Sequence, residues 1–115
     1  MPDFTLSTDA EGVATITWDV ADTSMNVLRL DGLAELDALV TEALADDAVR
    51  GIVLTSAKDS FAAGMDLNVL AQMRDAAGDD PASGLFDGLM EMHGVLRRIE
   101  RAGQDPKTLK GGKPV

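Results

Sequence analysis

The sequence predicts an α/β layer fold, and three patterns carry that expectation. Two short runs rich in β-branched residues come first, Phe4-Thr5-Leu6-Ser7 and Val13-Ala14-Thr15-Ile16-Thr17-Trp18. Apolar residues then recur at helical spacing, with Leu30, Leu33, Leu36, Val40 and Leu44 near one face. A compact apolar run, Gly51-Ile52-Val53-Leu54-Thr55, follows and has the character of a strand buried on both faces. Strand, helix and strand joined by short links belong to the layered α/β architectures.

Each element has its own signal. Asp9-Ala10-Glu11-Gly12 carries turn chemistry between the first two runs and predicts a β-hairpin. Asp19 to Asn26 reads as a loop. The helix that follows keeps Glu35, Asp37 and Glu42 off its apolar face and ends at Asp46-Asp47. After the second apolar strand, Ala57-Lys58-Asp59-Ser60 leads into Phe61-Ala62-Ala63-Gly64, and Met65 to Leu70 is a candidate helix start. Asp75 to Ser83 is rich in Gly, Pro and Asp and is expected to be a mobile loop. Leu85, Leu89, Met92, Leu96 and Ile99 then share a helical face, with Arg97, Arg98 and Arg101 offsetting the dipole near the end. Gly103 to Lys113 is polar and glycine-rich, and Pro114-Val115 looks like the opening of a further strand.

Composition narrows the function. The 115 residues suit one domain at most. With 45% hydrophobic residues the chain can build a core, so a wholly disordered acidic chain is not expected. Cysteine is absent, which excludes a disulfide framework, a thiolate metal site and a Cys nucleophile. Residues 1–92 hold 4 basic and 18 acidic side chains, whereas residues 93–115 hold 6 basic and 2 acidic. The acidic body argues against nucleic acid as a partner, because few cations are available to replace counterions. The start lacks the basic and apolar regions of a signal peptide, and no apolar run approaches the roughly 20 residues of a membrane span. A soluble, cytoplasmic protein is expected.

The strongest chemical feature is the small-residue turn Ala62-Ala63-Gly64, delivered by the second apolar strand just before a candidate helix. Small residues let a ligand approach the main chain, and unpaired N–H groups at a helix start favour negative charge. Such a turn can hold the developing oxyanion of a carbonyl, and one donor of that kind is worth about 3–4 kcal/mol in the transition state. The alternative is that Gly64 only permits a tight strand-to-helix turn.

The motifs resemble the crotonase (enoyl-CoA hydratase/isomerase) superfamily. Asp47-Ala48-Val49-Arg50-Gly51-Ile52-Val53-Leu54-Thr55 followed by Ser60-Phe61-Ala62-Ala63-Gly64-Met65-Asp66-Leu67 is similar to its signature "D-x-V-R … V-x-L-T … F-x-x-G-x-D-L". Met25-Asn26-Val27-Leu28 sits where that family has an Asn-containing loop, and Gly111-Gly112-Lys113-Pro114-Val115 resembles its "KPV" strand opening. The long segment Arg98 to Lys110 is similar to the hydratase portion of bacterial multifunctional fatty-acid oxidation proteins, which continue into a 3-hydroxyacyl-CoA dehydrogenase domain.

The resemblance implies the N-terminal part of a spiral of β-β-α units and an acyl-CoA thioester as ligand. Met65 would donate its backbone N–H to the thioester oxygen, and Ala63, Gly64, Asp66, Leu67 and Asn68 would line the adenine and pantetheine path. A second oxyanion glycine and two water-activating glutamates would lie beyond Val115. The 115 residues are then an incomplete hydratase domain, expected to be inactive alone and to leave a sheet edge and an apolar face open. Partial order, self-association or completion by further chain is the corresponding expectation. No cofactor is implied for these residues, and NAD would concern only a parent with a dehydrogenase domain. Glu91 and Glu100 sit in no matching motif and are expected to be solvated, and no catalytic role is expected of His93, which has no paired base or metal ligand in view. The six methionines are core or acyl-pocket filler.

Two rival resemblances carry less of the sequence. A STAS-type regulatory module would place a phosphorylated Ser60 after the apolar strand as a switch for partner binding. The spacer Phe61-Ala62-Ala63 departs from that family's spacing, and the KPV ending has no role there. An acyl-carrier protein shares the Asp59-Ser60 pair and acidity but is all-helical, which the predicted strands oppose.

Overall fold

The computed structural model describes residues 2–115. Its hairpin is the predicted one: β1 (Phe4–Thr8) runs antiparallel to β2 (Val13–Trp18), with Phe4 opposite Trp18 and Leu6 opposite Ile16. The Asp9 side chain closes the turn by accepting from the Glu11 and Val13 N–H groups, and Gly12 adopts φ +87°. From β2 the chain crosses through α1 (Leu30–Ala45) to β4 (Gly51–Ser56), which lies parallel to β2. The sheet order is β1-β2-β4.

Alternation along the strands decides which face is covered. Phe4, Ala14, Ile16, Trp18 and Ile52 are buried against Leu36, Val40 and Ala43 of α1. Their neighbours Thr5, Ser7 and Val53 point to the other face and are exposed. Period-two patterning with one helical layer is the cause. The expectation that β4 is buried on both faces is therefore corrected. Val53 is 46% exposed, because no second layer lies over that face and β4 ends the sheet. On α1, Leu33, Leu36 and Val40 are buried as predicted, whereas Leu30 in the first turn is exposed.

The start of α1 is tied to the N-terminal segment by buried Asp3. Its carboxylate pairs with Arg29, and its N–H donates to Glu35 Oε2 at 2.8 Å. A carboxylate close to Gly32 also favours the positive end of the helix. At the other end Lys113 supplies the cation that the last turn of α1 lacks, donating from Nζ to the Ala43 and Asp46 carbonyls. This docks the C-terminal segment. The Pro114 carbonyl then accepts from the Ile52 N–H at 2.8 Å, which places Pro114 beside the outer edge of β4.

A two-residue ladder, not foreseen in the sequence, joins β3 (Val27–Leu28) to β5 (Gly64–Met65) in parallel. It leads into α2 (Leu67–Ala76) and α3 (Pro81–Arg101). The expected loop from Asp75 to Ser83 shrinks to residues 77–80, with its ends absorbed into helices. Asp80 accepts from the Ser83 N–H and Pro81 opens the helix, a helix-start signal rather than a loop. On α3, Val95 is buried and Leu85, Leu89, Met92 and Ile99 are half-buried, but Leu96 faces solvent. Arg98 clamps α3 to α1 through a two-pronged contact with Asp37, which raises the Arg98 pKa. No helix among the described residues is long and apolar enough to cross a membrane.

The polar segment after α3 folds back on itself, with Gln104 bridging Gly111. Asp105 accepts from the Thr108 and Lys107 N–H groups, which hold its carboxyl below the usual range. A carboxylate whose pKa is lower folded than unfolded contributes stability above its unfolded value and loses it as pH falls through the folded value. Asp105→Asn is thus expected to lower the urea midpoint at neutral pH, with the deficit closing as pH drops below about 4. A deficit constant across that range would show that the charge plays no part.

Candidate functional site

The turn flagged in the sequence lies where β4 gives way to β5. Asn26 builds it, although it had been noted only as part of a loop. The residue is fully buried. Its Oδ1 accepts from the Val20 N–H at 3.0 Å, and Nδ2 faces the Trp18 carbonyl at 3.1 Å, Ser56 Oγ at 2.9 Å and the Phe61 carbonyl at 3.0 Å. Ser56 Oγ in turn donates to the Ser60 carbonyl and accepts from the Lys58 N–H. Lys58 reaches back to the Thr23 carbonyl and Asp19, closing residues 57–61 over the end of β2. Phe61 adds an edge-on contact with Trp18 at 5.6 Å, and Trp18 stacks on Phe4.

From this base the six predicted site residues follow in a continuous stretch. The Ala63 N–H donates to the Asn26 carbonyl at 2.7 Å. Gly64 has φ +119°, and a Cβ built there meets nothing within 4 Å. Glycine is thus required by the backbone conformation and not by crowding. Met65 is half-buried and pairs with Leu28, while the Asp66 N–H donates to the Leu28 carbonyl at 2.9 Å. Ala63 and Asp66, three residues apart, both donate to the β3 side, so the backbone between them departs from strict strand alternation at Gly64. The Met65 side chain packs beside Leu28, Leu33, Val69 and Met73 in a small apolar depression. Leu67 is 80% exposed and Asn68 is exposed beside it.

One expectation changes here. Met65 ends a short strand and does not open a helix. Helix α2 starts at Leu67, and Asp66 caps it by accepting from the Asn68 N–H at 2.9 Å. A carboxylate already occupies that terminus, which leaves it poor for a second anion.

The other charged candidates stay at the surface. Glu100 pairs with Arg97 across one helical turn, and His93 and Glu91 are exposed on α3. Arg29, whose pKa is raised chiefly by its hydrogen bond to Asp3, lies near Asp66. A cleft of about 700 Å³ lies elsewhere, between α1 and the α2–α3 pair. Leu33, Met73 and Val95 floor it, and Asp80, Asp87 and Glu91 rim it. Asp37 and Arg98, paired with each other, complete its charged lining. Among the described residues no group of three or more His, Cys, Asp or Glu side chains could hold a metal ion.

On fold, the chain is similar to solved crotonase-type enzymes. It superposes on the enoyl-CoA hydratase of Thermoplasma volcanium with a TM-score of 0.67 and 26% identity, covering 88% of this chain and 37% of that one. A hydratase structure from Shewanella pealeana shares the fold at a TM-score of 0.72 with only 17% identity, covering 86% of this chain and 35% of the other. Residues 8–96 match the family model described as enoyl-CoA hydratase/isomerase. The chain belongs to that family. In sequence it is also similar to the fatty acid oxidation complex subunit alpha of Shewanella amazonensis, 41% identical over 68 residues, which are 58% of this chain and 10% of that protein. The corresponding Shewanella oneidensis subunit is 38% identical over 80 residues, 69% of this chain and 11% of its own length. The chain thus spans about a tenth of these curated relatives.

Proposed function

We propose that these residues form the acyl-CoA-binding half of an enoyl-CoA hydratase, the enzyme that adds water to a trans-2-enoyl-CoA during fatty acid β-oxidation. The observation that supports the reading is the open, glycine-conformation backbone at Gly64 beside Met65, held to the β3 side through the Ala63 and Asp66 N–H groups. A thioester carbonyl seated there gains a hydrogen bond that strengthens as water adds at the β-carbon and charge builds on oxygen. Because the donor is main-chain, the side chain at position 65 serves packing alone. Exposed Phe61 and Leu67 flank the turn and offer apolar surface to the pantetheine arm, which runs along Ala63, Gly64, Asp66, Leu67 and Asn68.

In this reading the second oxyanion donor and the two carboxylates that activate water come from chain outside these 115 residues. The parent is a multifunctional enzyme that also carries 3-hydroxyacyl-CoA dehydrogenase activity. NAD would concern only such a parent. The expected result is saturable binding of acetoacetyl-CoA by calorimetric titration, with crotonyl-CoA hydrated no faster than in buffer. Hydratase turnover by a mass-verified 115-residue chain would sink the assignment of the missing carboxylates. Absence of thioester binding would sink the site itself.

A further inference from the structure

Resting on that reading, we propose that Asn26, braced by Ser56, is a positioning residue that sets the direction of the Met65 N–H. It touches no substrate atom. It acts through the main chain of residues 61–66.

The geometry is a clamp with two jaws. The Asn26 side chain holds the Phe61 carbonyl, and its main-chain carbonyl holds the Ala63 N–H. Two residues further on, the Leu28 carbonyl holds the Asp66 N–H. Residues 61, 63 and 66 are therefore fixed to the short stretch Asn26–Leu28, and the peptide between Gly64 and Met65 is suspended between them. That peptide needs fixing, because glycine at φ +119° with no atom within 4 Å of its missing Cβ has little else to restrain it. The side chain of Asn26 is itself anchored from two further directions, by the Val20 N–H and by Ser56 Oγ. Ser56 passes the constraint on by donating to the Ser60 carbonyl at 2.7 Å.

An amide is the side chain this place demands. One end must accept from a backbone N–H while the other donates towards the Trp18 and Phe61 carbonyls and Ser56 Oγ. Asn26→Asp keeps the shape and the acceptor but removes both donor hydrogens, leaving two carbonyls facing a carboxylate. The Phe61 jaw then opens.

Acetoacetyl-CoA and CoA share every group except the acyl portion with its carbonyl, so the ratio of their affinities isolates the oxyanion contact from the rest of the site. Calorimetric titration of the 115-residue chain with both ligands reads this ratio. Asn26→Asp is expected to cut the preference for acetoacetyl-CoA about 10-fold or more, in line with the weight of a single oxyanion donor. Ser56→Ala is expected to cut it less, about 3-fold, since one brace of several is lost. Val40→Ala, which hollows the α1 core far from the turn, lowers the melting temperature but keeps the ratio. A ratio unchanged in Asn26→Asp while the wild-type chain discriminates would overturn the positioning role and leave the functional reading standing. If Asn26→Asp does not fold, Ser56→Ala decides, and an unchanged ratio there overturns the proposal. A wild-type chain that binds both ligands equally, or neither, removes the functional reading and this inference with it.

Discussion

Gly84→Ala is expected to destabilise the chain by about 1–3 kcal/mol, the usual cost of forcing an extra methyl into a filled contact. A Cβ at Gly84 would lie 2.3 Å from Ala77 Cβ and 2.5 Å from the Met73 carbonyl of α2. Neither neighbour is a flexible side-chain end, so α2 and α3 must separate. Gly88 repeats the contact one turn later, where a Cβ would meet Met73 Sδ at 2.6 Å. The pair forms a small-residue stripe that brings the two helices together. The same substitution at Gly94 provides the internal comparison. There the nearest atom is Arg98 Nη1 at 3.6 Å, an ordinary van der Waals contact. Ala is the better helix former by about 1 kcal/mol, so Gly94→Ala should be neutral or stabilising. Urea unfolding of both variants checks the account. Equal midpoints for Gly84→Ala and Gly94→Ala would show that the α2–α3 contact is not as close as described.

Gly64→Val is expected to abolish the preference for an acyl thioester over CoA, with a stability cost on the order of 1–3 kcal/mol for a side chain held at that backbone conformation. No neighbour obstructs the new side chain, so the effect is conformational. The chain can relieve it only by rotating the peptide that carries the Met65 N–H. The contrast is Met65→Leu, which changes packing beside Leu28 and Val69 but keeps the N–H. It should bind the thioester within about 3-fold of the parent chain, a difference of less than 1 kcal/mol. The opposite order of effects, a tolerant position 64 and a sensitive position 65, would place the recognition in the side chain.

Much of the layer fold could be read from periodicity. The alternation in Val13 to Trp18, the helical stripe from Leu33 to Val40 and the apolar run at Gly51 each specify an element without help from distant residues. The β3–β5 ladder could not be read that way, because two residues carry no period. Burial of β4 was overestimated for a related reason: a run of apolar residues does not say how many layers cover it. The α2–α3 boundary was obscured by Gly, Pro and Asp, which signal both loops and helix starts. Asp80 and Pro81 serve the start, while Gly84 and Gly88 serve contact between helices.

The site was legible where its chemistry is local. The small-residue turn before Met65 is where the chain bends, and Gly64 takes a conformation suited to glycine. Asn26 stayed hidden because a polar residue in a polar loop looks solvated, and only tertiary structure reveals that it is fully buried. The signals available were the match of Met25-Asn26-Val27-Leu28 to the family's Asn-containing loop and the apolar flanks Met25 and Val27.

The Met65 amide itself can be observed. In ¹H–¹⁵N spectra of the 115-residue chain, its cross-peak should move saturably as acetoacetyl-CoA is added and stay near its free position with CoA. A Met65 amide that remains still while the thioester saturates the chain, or that moves equally with both ligands, would contradict the oxyanion role.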